Sequence, residues 1–210
     1  MVTRIVIVGG GPAGYEAALV AAAHGPEVAR VTVVDAEGVG GACVLWDCVP
    51  SKTFIASTGV RTELRRAPAL GLGVAIDDVK ISLPQIHDRV KSLAAAQSAD
   101  IAGQLVATGV ELIAGRGELV DATPGLAAHR IKVTTADGAE QFRDADVVLL
   151  ATGACPRVLP GAEPDGERIL NWRQIYDLDT LPEHLVVVGS GVTGAEFTHA
   201  YTELGVRVTV

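Results

Sequence analysis

The clearest pattern in the chain is a short apolar run, then glycines, then an alanine-rich helix. Residues 5–8 are all aliphatic, which is typical of a parallel strand that is buried on both faces. Glycine-rich residues 9–14 follow at once, and residues 15–24 have the apolar spacing of a helix. A second apolar run at residues 31–35 completes a predicted strand-helix-strand unit.

The middle of the chain mixes long helical patterns with short strands. Residues 50–66 and 83–108 have helical spacing, and residues 110–113 return to the pattern of a strand. The alternation around residues 130–134, followed by an Asp-Gly turn, predicts a small antiparallel meander. Residues 147–150 are again all apolar, and we expect another buried strand there.

The opening pattern repeats near the end of the chain. Prolines and glycines concentrate in residues 156–182, which favours a connection between domains. An apolar run at residues 185–188 then leads into glycine-rich residues 189–194, a predicted helix to Leu204 and a strand at residues 207–210. Because that last strand would lack the rest of its sheet, we expect the sequence to be a fragment or a truncated product.

Composition narrows the possible functions. The 210 residues include 49% hydrophobic residues and 24 glycines, and the net charge is −8, which argues against binding to nucleic acid. No apolar run approaches the roughly 20 residues of a spanning helix, and no signal peptide is recognisable, so we expect no membrane span and a cytoplasmic location. Three cysteines do not make a disulfide framework, so any cysteine chemistry must lie in a specific pair.

The first glycine-rich turn has the spacing of a dinucleotide-binding fingerprint. Gly9 permits the tight turn, Gly11 lets a pyrophosphate approach the backbone, and Gly14 allows close packing of helix and strand. The helix N-terminus then faces the phosphates. Asp35, at the end of the second strand, is placed to accept hydrogen bonds from a ribose hydroxyl. A glycine turn that binds no ligand is the alternative.

Two cysteines, Cys43 and Cys48, are separated by four residues. If the next helix begins near Pro50, Cys48 lies at its N-terminal edge, where the helix dipole stabilises a thiolate. Cys43, in the preceding loop, would be more accessible and could attack an external disulfide. A zinc site is a weaker alternative because Cys155 is distant in sequence, and we predict no metal. Two unreactive buried thiols are a further alternative.

Four segments together resemble one family. The sequences GGGPAG, GGACVLWDCVPSK, ATG and GSGVTGAE begin at residues 9, 40, 151 and 189. They are similar to those of the flavoprotein disulfide reductases, the pyridine nucleotide-disulfide oxidoreductases that include lipoamide dehydrogenase. The resemblance covers essentially the whole chain. The segments DCVPSKTFIASTG and VVGSGVTGAEF look like those of an actinobacterial branch with NAD(P)H:quinone reductase activity.

The resemblance implies an α/β fold with a Rossmann-like FAD-binding domain over residues 1–153, which contains the antiparallel meander. A connection over residues 154–183 would lead to the start of a second Rossmann-like domain, for NAD(P)H, over residues 184–210. For FAD the resemblance implies contacts from Gly9, Gly11, Pro12, Ala13, Gly14, Asp35, Ala36, Gly41, Ala42, Lys52, Gly117, Ala151, Thr152 and Gly153. For NADH or NADPH it implies Gly189, Gly191, Val192, Thr193, Gly194 and Glu196.

The resemblance also implies a catalytic role for four residues. Hydride would pass from the nicotinamide to the flavin, with Cys48 as the thiolate against the flavin and Cys43 as the interchange thiol. Lys52 would approach the flavin and pair with Glu196. A lysine whose side chain is solvated at the surface is the alternative. The family's catalytic histidine comes from the second subunit of a homodimer, and none of the five histidines here matches that motif.

The loop between the cysteines departs from the family's pattern, because Val44, Leu45, Trp46 and Asp47 fill it, whereas the family commonly has Asn and Gly within this loop. An acidic Asp47 close to Cys48 would raise the pKa of that thiol and weaken a dithiol mechanism. The resemblance to the actinobacterial branch favours a quinone as the electron acceptor, with a lipoamide-type disulfide as the alternative. A nucleotide-binding fragment without turnover is the remaining hypothesis. The choice between NAD and NADP stays open.

Overall fold

The computed structural model describes residues 2–122, 125 and 127–210. The chain divides into two compact units, which we describe separately. The first unit comprises the residues up to 45 together with 95–155, and the second comprises residues 46–94 and 156–210. The domain boundaries expected after residues 153 and 183 stay a prediction.

The first unit combines a parallel sheet with an antiparallel meander. Its elements are β1 Thr3–Val8, α1 Pro12–Ala22, β2 Ala29–Asp35, α2 Gly41–Leu45, β3 Glu111–Ala114, β4 Arg116–Val120, β5 His129–Thr134, β6 Glu140–Ala145 and β7 Val147–Leu150. The parallel sheet has the order β3-β2-β1-β7, and the meander has the order β4-β5-β6. This arrangement confirms the predicted fold class, including the meander.

The core of the first unit is aliphatic. Val6, Val34, Ile131 and Val133 pack in one cluster, and each is no more than 2% exposed. The two central strands β1 and β2 pair along their whole length, from Thr3 opposite Ala29 to Val8 opposite Val34. The continuous apolar runs at residues 5–8 and 31–35 therefore form the central strands, as expected for a sheet covered on both faces.

The second unit is built from helices around a two-stranded parallel sheet. Its elements are α3 Cys48–Arg66, β8 His184–Val186, α5 Val192–Glu203 and β9 Arg207–Thr209, with 3-10 turns at Ala67–Leu70, Ile76–Asp78 and Gln174–Asp177. Helix α4, Leu83–Ala107, has residues in both units. The core of the second unit is aromatic, because Phe54, Tyr176, Phe197 and Tyr201 stack edge to face or tilted at centroid distances of 5.3 to 6.3 Å. No described helix is both long and apolar enough to cross a membrane.

Two helices begin earlier than the sequence predicted, and one short helix was not predicted. Helix α1 begins at Pro12 because proline suits the first turn, where its missing N–H costs nothing. Helix α3 begins at Cys48, two residues before Pro50, so that proline sits inside the first turn rather than at its start. Cys43 lies on the short helix α2 and not in a loop.

Strand β7 differs in burial. We expected it to be buried, yet Val147, Leu149 and Leu150 are 47%, 36% and 62% exposed. The strand lies at the edge of the described sheet and pairs only with β1. An apolar run therefore predicted the strand correctly but not its position in the sheet, which depends on partners remote in sequence.

Candidate functional site

The first glycine loop, residues 9–14, connects β1 to α1 under tight packing. Gly9 has a φ of 109°, and a methyl group added there would lie 2.1 Å from the Ala151 carbonyl oxygen. A methyl group on Gly14 would lie 1.8 Å from the Gly9 carbonyl oxygen. These two glycines are therefore required by the packing of the protein itself, with or without a ligand.

Gly11, at the N-cap of α1, is in a different situation. Its φ of −69° and ψ of −177° suit any residue, and an added methyl group would meet only the Gly41 Cα atom, at 3.9 Å. Neither the backbone nor the packing of the protein requires glycine here. The absent side chain instead leaves the helix N-terminus open between exposed Pro12 and Ala13, where an anion is stabilised by the backbone N–H groups and the helix dipole. This cradle fits a pyrophosphate.

Asp35 ties the loop to the end of β2. Its Oδ2 accepts a hydrogen bond from the Gly10 N–H at 2.6 Å, and its Oδ1 accepts from the N–H groups of Glu37 and Gly38 at 2.8 and 2.7 Å. A carboxylate has about four acceptor positions, so Asp35 retains capacity for a ribose hydroxyl. Gly10, which sequence reasoning passed over, is crowded as well, since a methyl group there would lie 3.1 Å from the Asp35 Cβ.

A second segment, residues 38–42, packs on the glycine loop. The Gly40 N–H donates to the Gly10 carbonyl at 2.8 Å, and Ser98, another residue that sequence reasoning missed, donates from its hydroxyl to the Val39 carbonyl at 2.5 Å. Gly41 and Ala42, predicted to contact FAD, are half-buried at the start of α2. Gly41 lies beside Gly11, since a methyl group added to Gly41 would lie 2.8 Å from the Gly11 Cα atom. The contacts of Gly41 and Ala42 with FAD stay a prediction.

The other predicted FAD residues of the first unit lie near the same end of the sheet. Ala36 is exposed after β2, and Ala151, Thr152 and Gly153 follow β7 directly. In parallel sheets, ligands bind at the carboxyl ends of the strands, which is where these residues lie. Gly117 belongs to strand β4 of the meander, and an added methyl group there would meet the side chain of Val8, the last residue of β1, at 2.9 Å. The contact of Gly117 with FAD stays a prediction.

The second glycine loop, residues 189–194, repeats the geometry of the first. Gly189 has a φ of 115°, and a methyl group on Gly194 would lie 2.2 Å from the Gly189 carbonyl oxygen. Gly191 caps α5 with φ −69° and ψ 178°, and nothing lies within 4 Å of an added methyl group. Val192 is 74% exposed next to it. The N-terminus of α5 is thus open to an anion, as that of α1 is.

Helices α3 and α5 bring several predicted site residues together. Lys52, one turn along α3 from Cys48, forms an ion pair with Glu196 on α5. The Thr193 hydroxyl donates to Asp47 Oδ1 at 3.3 Å, just before α3 begins. Cys48 is the first residue of α3 and its thiol is free and exposed. Three of the four predicted catalytic residues therefore share the second unit with the second glycine loop.

The ion pair fixes the charges of this cluster. Partial burial pushes the pKa of Glu196 upward, but hydrogen bonds from Lys52 and Ser51 outweigh that effect and hold it below its usual range. The hydrogen bond to Glu196 raises the pKa of Lys52. Both groups are charged at neutral pH, so α3 carries a cation one turn from Cys48.

Two buried tyrosines lie beside the pair, and sequence reasoning did not find them. Tyr176 is 3% exposed and Tyr201 is fully buried, and neither hydroxyl has a hydrogen-bond partner among the described residues. Burial raises the pKa of both tyrosines, and the charges of Asp47 and Glu196 add to the effect at Tyr176. Tyr176 comes after the proline-rich stretch and carries no motif, so only the fold reveals its place.

The two cysteines of the predicted redox pair belong to different units. Cys43 is half-buried on α2 in the first unit, and its charge contributes, after burial and Glu16, to the raised pKa of Tyr15. Cys48 lies in the second unit, so the redox pairing stays a prediction. Cys155 is exposed. Over residues 2–122, 125 and 127–210, no group of three or more His, Cys, Asp or Glu side chains is arranged to hold a metal ion.

Comparison with known proteins agrees with this geometry. The sequence pattern of the family described as "Pyridine nucleotide-disulphide oxidoreductase" matches residues 3–210. The chain belongs to the pyridine nucleotide-disulphide oxidoreductase family. Membership in this family, together with the relatives described next, implies FAD and NAD(P)H as cofactors. Both glycine loops leave the N-terminus of the following helix open, and the assignment of each loop to one cofactor stays a prediction.

The relatives carry two kinds of name. A Mycobacterium tuberculosis protein called "NAD(P)H dehydrogenase (quinone)" is 74% identical over 210 residues, which is 100% of this chain and 43% of that protein. A "Dihydrolipoyl dehydrogenase" of Chlorobaculum parvum is 35% identical over 206 residues, 98% of this chain and 42% of the relative. The crystal structure of LpdA from Mycobacterium tuberculosis matches with a TM-score of 0.92 and 73% identity, covering 100% of this chain and 44% of LpdA. The chain thus spans less than half the length of these pyridine nucleotide-disulphide oxidoreductases.

Proposed function

We propose that the protein is an FAD-dependent oxidoreductase that takes electrons from NAD(P)H and delivers them to a quinone. The observation that carries the proposal is the Lys52–Glu196 ion pair one turn from Cys48, on the unit that also holds an open glycine loop. The 74% identity to a relative named "NAD(P)H dehydrogenase (quinone)" favours the quinone as acceptor. We expect a cytoplasmic homodimer.

The glycine loops bind and orient the cofactors in this proposal. Gly11 and Gly191 leave the N-termini of α1 and α5 accessible, so backbone N–H groups receive the pyrophosphates of FAD and NAD(P)H. Asp35 holds the first loop in shape and accepts from the FAD ribose. When bound, FAD supplies the two-electron chemistry that connects the nicotinamide to the acceptor.

Lys52 and Glu196 position charge where the reaction needs it. Glu196 restrains the Lys52 side chain, which is 59% exposed and would otherwise be mobile in water. A restrained ammonium group stabilises negative charge that develops on a neighbouring electron-rich group, whether a reduced flavin or the Cys48 thiolate. The pair therefore serves the hydride step whichever acceptor is used.

Cys43 and Cys48 form the redox pair of the proposal. Two electrons and two protons would convert a Cys43–Cys48 disulfide into two thiols, and the reverse reaction would reduce an external disulfide. Cys48, the exposed first residue of α3, would be the sulfur that receives electrons from the flavin. A quinone can take its electrons without this pair, whereas a lipoamide-type disulfide cannot.

Substitution of Cys48 by serine tests the choice of acceptor. We expect Cys48→Ser to abolish reduction of lipoamide by NADH or NADPH and to retain most of the quinone reduction. Cys155→Ser, which removes another exposed thiol, is the matched control and should leave both activities unchanged. Equal loss of both activities in Cys48→Ser would contradict the quinone proposal.

The relatives named "Dihydrolipoyl dehydrogenase" favour a second candidate, a dithiol-disulfide oxidoreductase. In that case the wild-type protein reduces lipoamide faster than it reduces any quinone, and Cys48→Ser does not reduce lipoamide. A third candidate, binding of nucleotide without turnover, predicts a yellow protein that is stabilised by nucleotide but oxidises no NADH or NADPH. Steady-state assays with both acceptors separate the three.

A further inference from the structure

A cavity of about 300 Å³ lies in the second unit. Its lining includes neither the second glycine loop nor Lys52 and Glu196. Its walls come from α3, from residues 79–82, from the first turns of α4 and from Leu204 at the end of α5. The volume is at the lower end of the range for small-molecule sites. None of the residues predicted to bind FAD or NAD(P)H lines it.

Three of the lining residues are cations, and no acid whose side chain the structure describes lines the cavity. Arg61, Lys80 and Arg89 supply the positive charge. Their contacts do not neutralise it: Arg61 Nη1 donates to the Glu203 carbonyl at 2.8 Å, and Arg89 Nη1 donates to the Ser57 hydroxyl at 3.1 Å. Within the described part of the chain, none of the three forms an ion pair.

Lys80 is unusual among the lysines of this chain. Lys52, Lys91 and Lys132 each pair with a carboxylate, whereas Lys80 pairs with none of those in the described residues. The chain has 25 acidic residues against 17 basic ones, so partners are plentiful. Three uncompensated cations around one cavity of an acidic protein create a local positive potential that attracts an anion.

The rest of the lining is apolar with a few hydrogen-bonding groups. Val60, Leu64, Ile81, Ile86 and Leu204 offer aliphatic surface, and Ser57, Ser82 and Gln85 add polar atoms. Val60 is 57% exposed and available to a ligand. Aliphatic walls beside a cluster of cations match a molecule with one charged end and one apolar end.

We propose that this cavity binds a small amphipathic anion, a carboxylate or phosphate group that carries a short hydrocarbon chain. The charged group would lie among Arg61, Lys80 and Arg89, and the chain would lie along the aliphatic wall. The site is separate in its residues from those proposed for FAD, NAD(P)H and the acceptor. Its occupation therefore does not depend on the proposed redox function.

Four probes test the chemistry. Titration calorimetry and saturation-transfer NMR on the purified protein are expected to show saturable binding of octanoate or octyl phosphate, whichever head group fits better. Binding should weaken as salt is raised, because partly exposed charges are screened. Inorganic phosphate and 1-octanol should each bind at least about tenfold more weakly than the better probe, about 1.4 kcal/mol, because each lacks one half of the recognised molecule. Equal binding of 1-octanol, or no saturable binding of either anion, would overturn the proposal.

Variants locate the binding. Lys80→Gln and Arg89→Gln are each expected to weaken the better probe about tenfold, the loss of one charged contact. Val60→Asp, at an exposed position of α3, should abolish binding by placing a negative charge at the cavity. Arg65→Gln is the control, since Arg65 is an exposed cation on the same helix that does not line the cavity. If Arg65→Gln weakens binding as much as Lys80→Gln does, the anion is held by overall charge and the cavity is not its site.

Discussion

The two glycine loops have nearly the same backbone and very different surroundings. Gly9 and Gly189 have φ values of 109° and 115°, and the caps Gly11 and Gly191 have the same extended conformation within a few degrees. Methyl groups added to Gly9, Gly10 and Gly11 would contact Ala151, Asp35 and Gly41, respectively. An added methyl group on Gly189 or Gly191 meets nothing within 4 Å. Local sequence therefore sets the conformation of each loop, and remote segments decide how firmly it is held.

The attachments of the two loops also differ in kind. Asp35 receives three backbone N–H groups and so fastens the first loop through the main chain. In the second unit, side chains hold the helix that follows the loop, through the Lys52–Glu196 pair and the contact between Thr193 and Asp47. Main-chain contacts to a half-buried carboxylate are shielded from water better than an ion pair whose lysine is 59% exposed.

The largest loss of stability is expected at Gly14 and Gly194, where the two loops are packed in the same way. In Gly14→Ala and Gly194→Ala the new methyl group would lie 1.8 and 2.2 Å from a backbone carbonyl oxygen, and neither carbonyl can move without opening its turn. We expect each substitution to lower the free energy of unfolding by about 3 kcal/mol or more. Urea unfolding measures it, with Gly59→Ala as the control because an added methyl group at Gly59 meets nothing within 4 Å. A mild effect at either position would mean that the turns are softer than the structure indicates.

Comparison of Gly9→Ala with Gly189→Ala measures the difference in packing between the two loops. Both substitutions force alanine to a positive φ, which costs about 1 to 2 kcal/mol. Only Gly9→Ala adds a clash, with the Ala151 carbonyl oxygen at 2.1 Å. We therefore expect Gly9→Ala to destabilise the protein by about 1 to 3 kcal/mol more than Gly189→Ala. Equal effects would contradict the difference in packing between the loops.

These differences mark the limit of prediction from sequence. Apolar runs and turn residues were sufficient to predict β1, β2, the meander and, within one residue, the ends of α4. Hydrophobic periodicity and turn residues are local signals in the sequence. The bonding of Asp35 to Gly10, the exposure of β7 and the burial of Tyr176 depend on which distant segments come together. The same limit applies to Cys43 and Cys48. Their spacing is local information, but their relative placement is a property of the tertiary structure.

Asp35→Asn tests the main-chain attachment of the first loop. Asparagine retains one acceptor oxygen, so part of the set of bonds from Gly10, Glu37 and Gly38 is lost together with the negative charge. We expect a loss of about 1.5 kcal/mol in stability and weaker flavin retention. The exposed Asp121→Asn, for which the structure gives no hydrogen bond, is the control. An unchanged unfolding curve would show that the three bonds are not needed to hold the loop.

Gly11→Ala and Gly191→Ala separate stability from ligand binding. Neither position needs glycine for its backbone or its packing, so we expect stability to change by no more than about 0.5 kcal/mol. Binding should nevertheless suffer, because the new methyl group occupies the path of a pyrophosphate to the helix N-terminus. Flavin absorbance after purification reports on Gly11→Ala, and NADPH or NADH titration reports on Gly191→Ala. Normal binding in both variants would remove the argument that these cradles are phosphate sites.

Lys52→Met is also expected to have only a small effect on stability at neutral pH, because an ion pair with a largely exposed lysine contributes only about 0.5 kcal/mol. Its pH dependence is nevertheless diagnostic. The pKa of Glu196 is lowered in the folded protein, so the contribution is present above the usual glutamate pKa and is lost as pH falls through the folded value. The pKa of Lys52 is raised, so the contribution is also lost as pH rises through its folded value, above 10.5. The stability difference between wild type and Lys52→Met should therefore be flat from about pH 5 to pH 10 and vanish beyond both ends. In the Glu196→Gln background, Lys52→Met should cost nothing further. A stability difference between wild type and Lys52→Met that persists well below the folded pKa of Glu196 would assign the effect to packing of the lysine chain rather than to its charge.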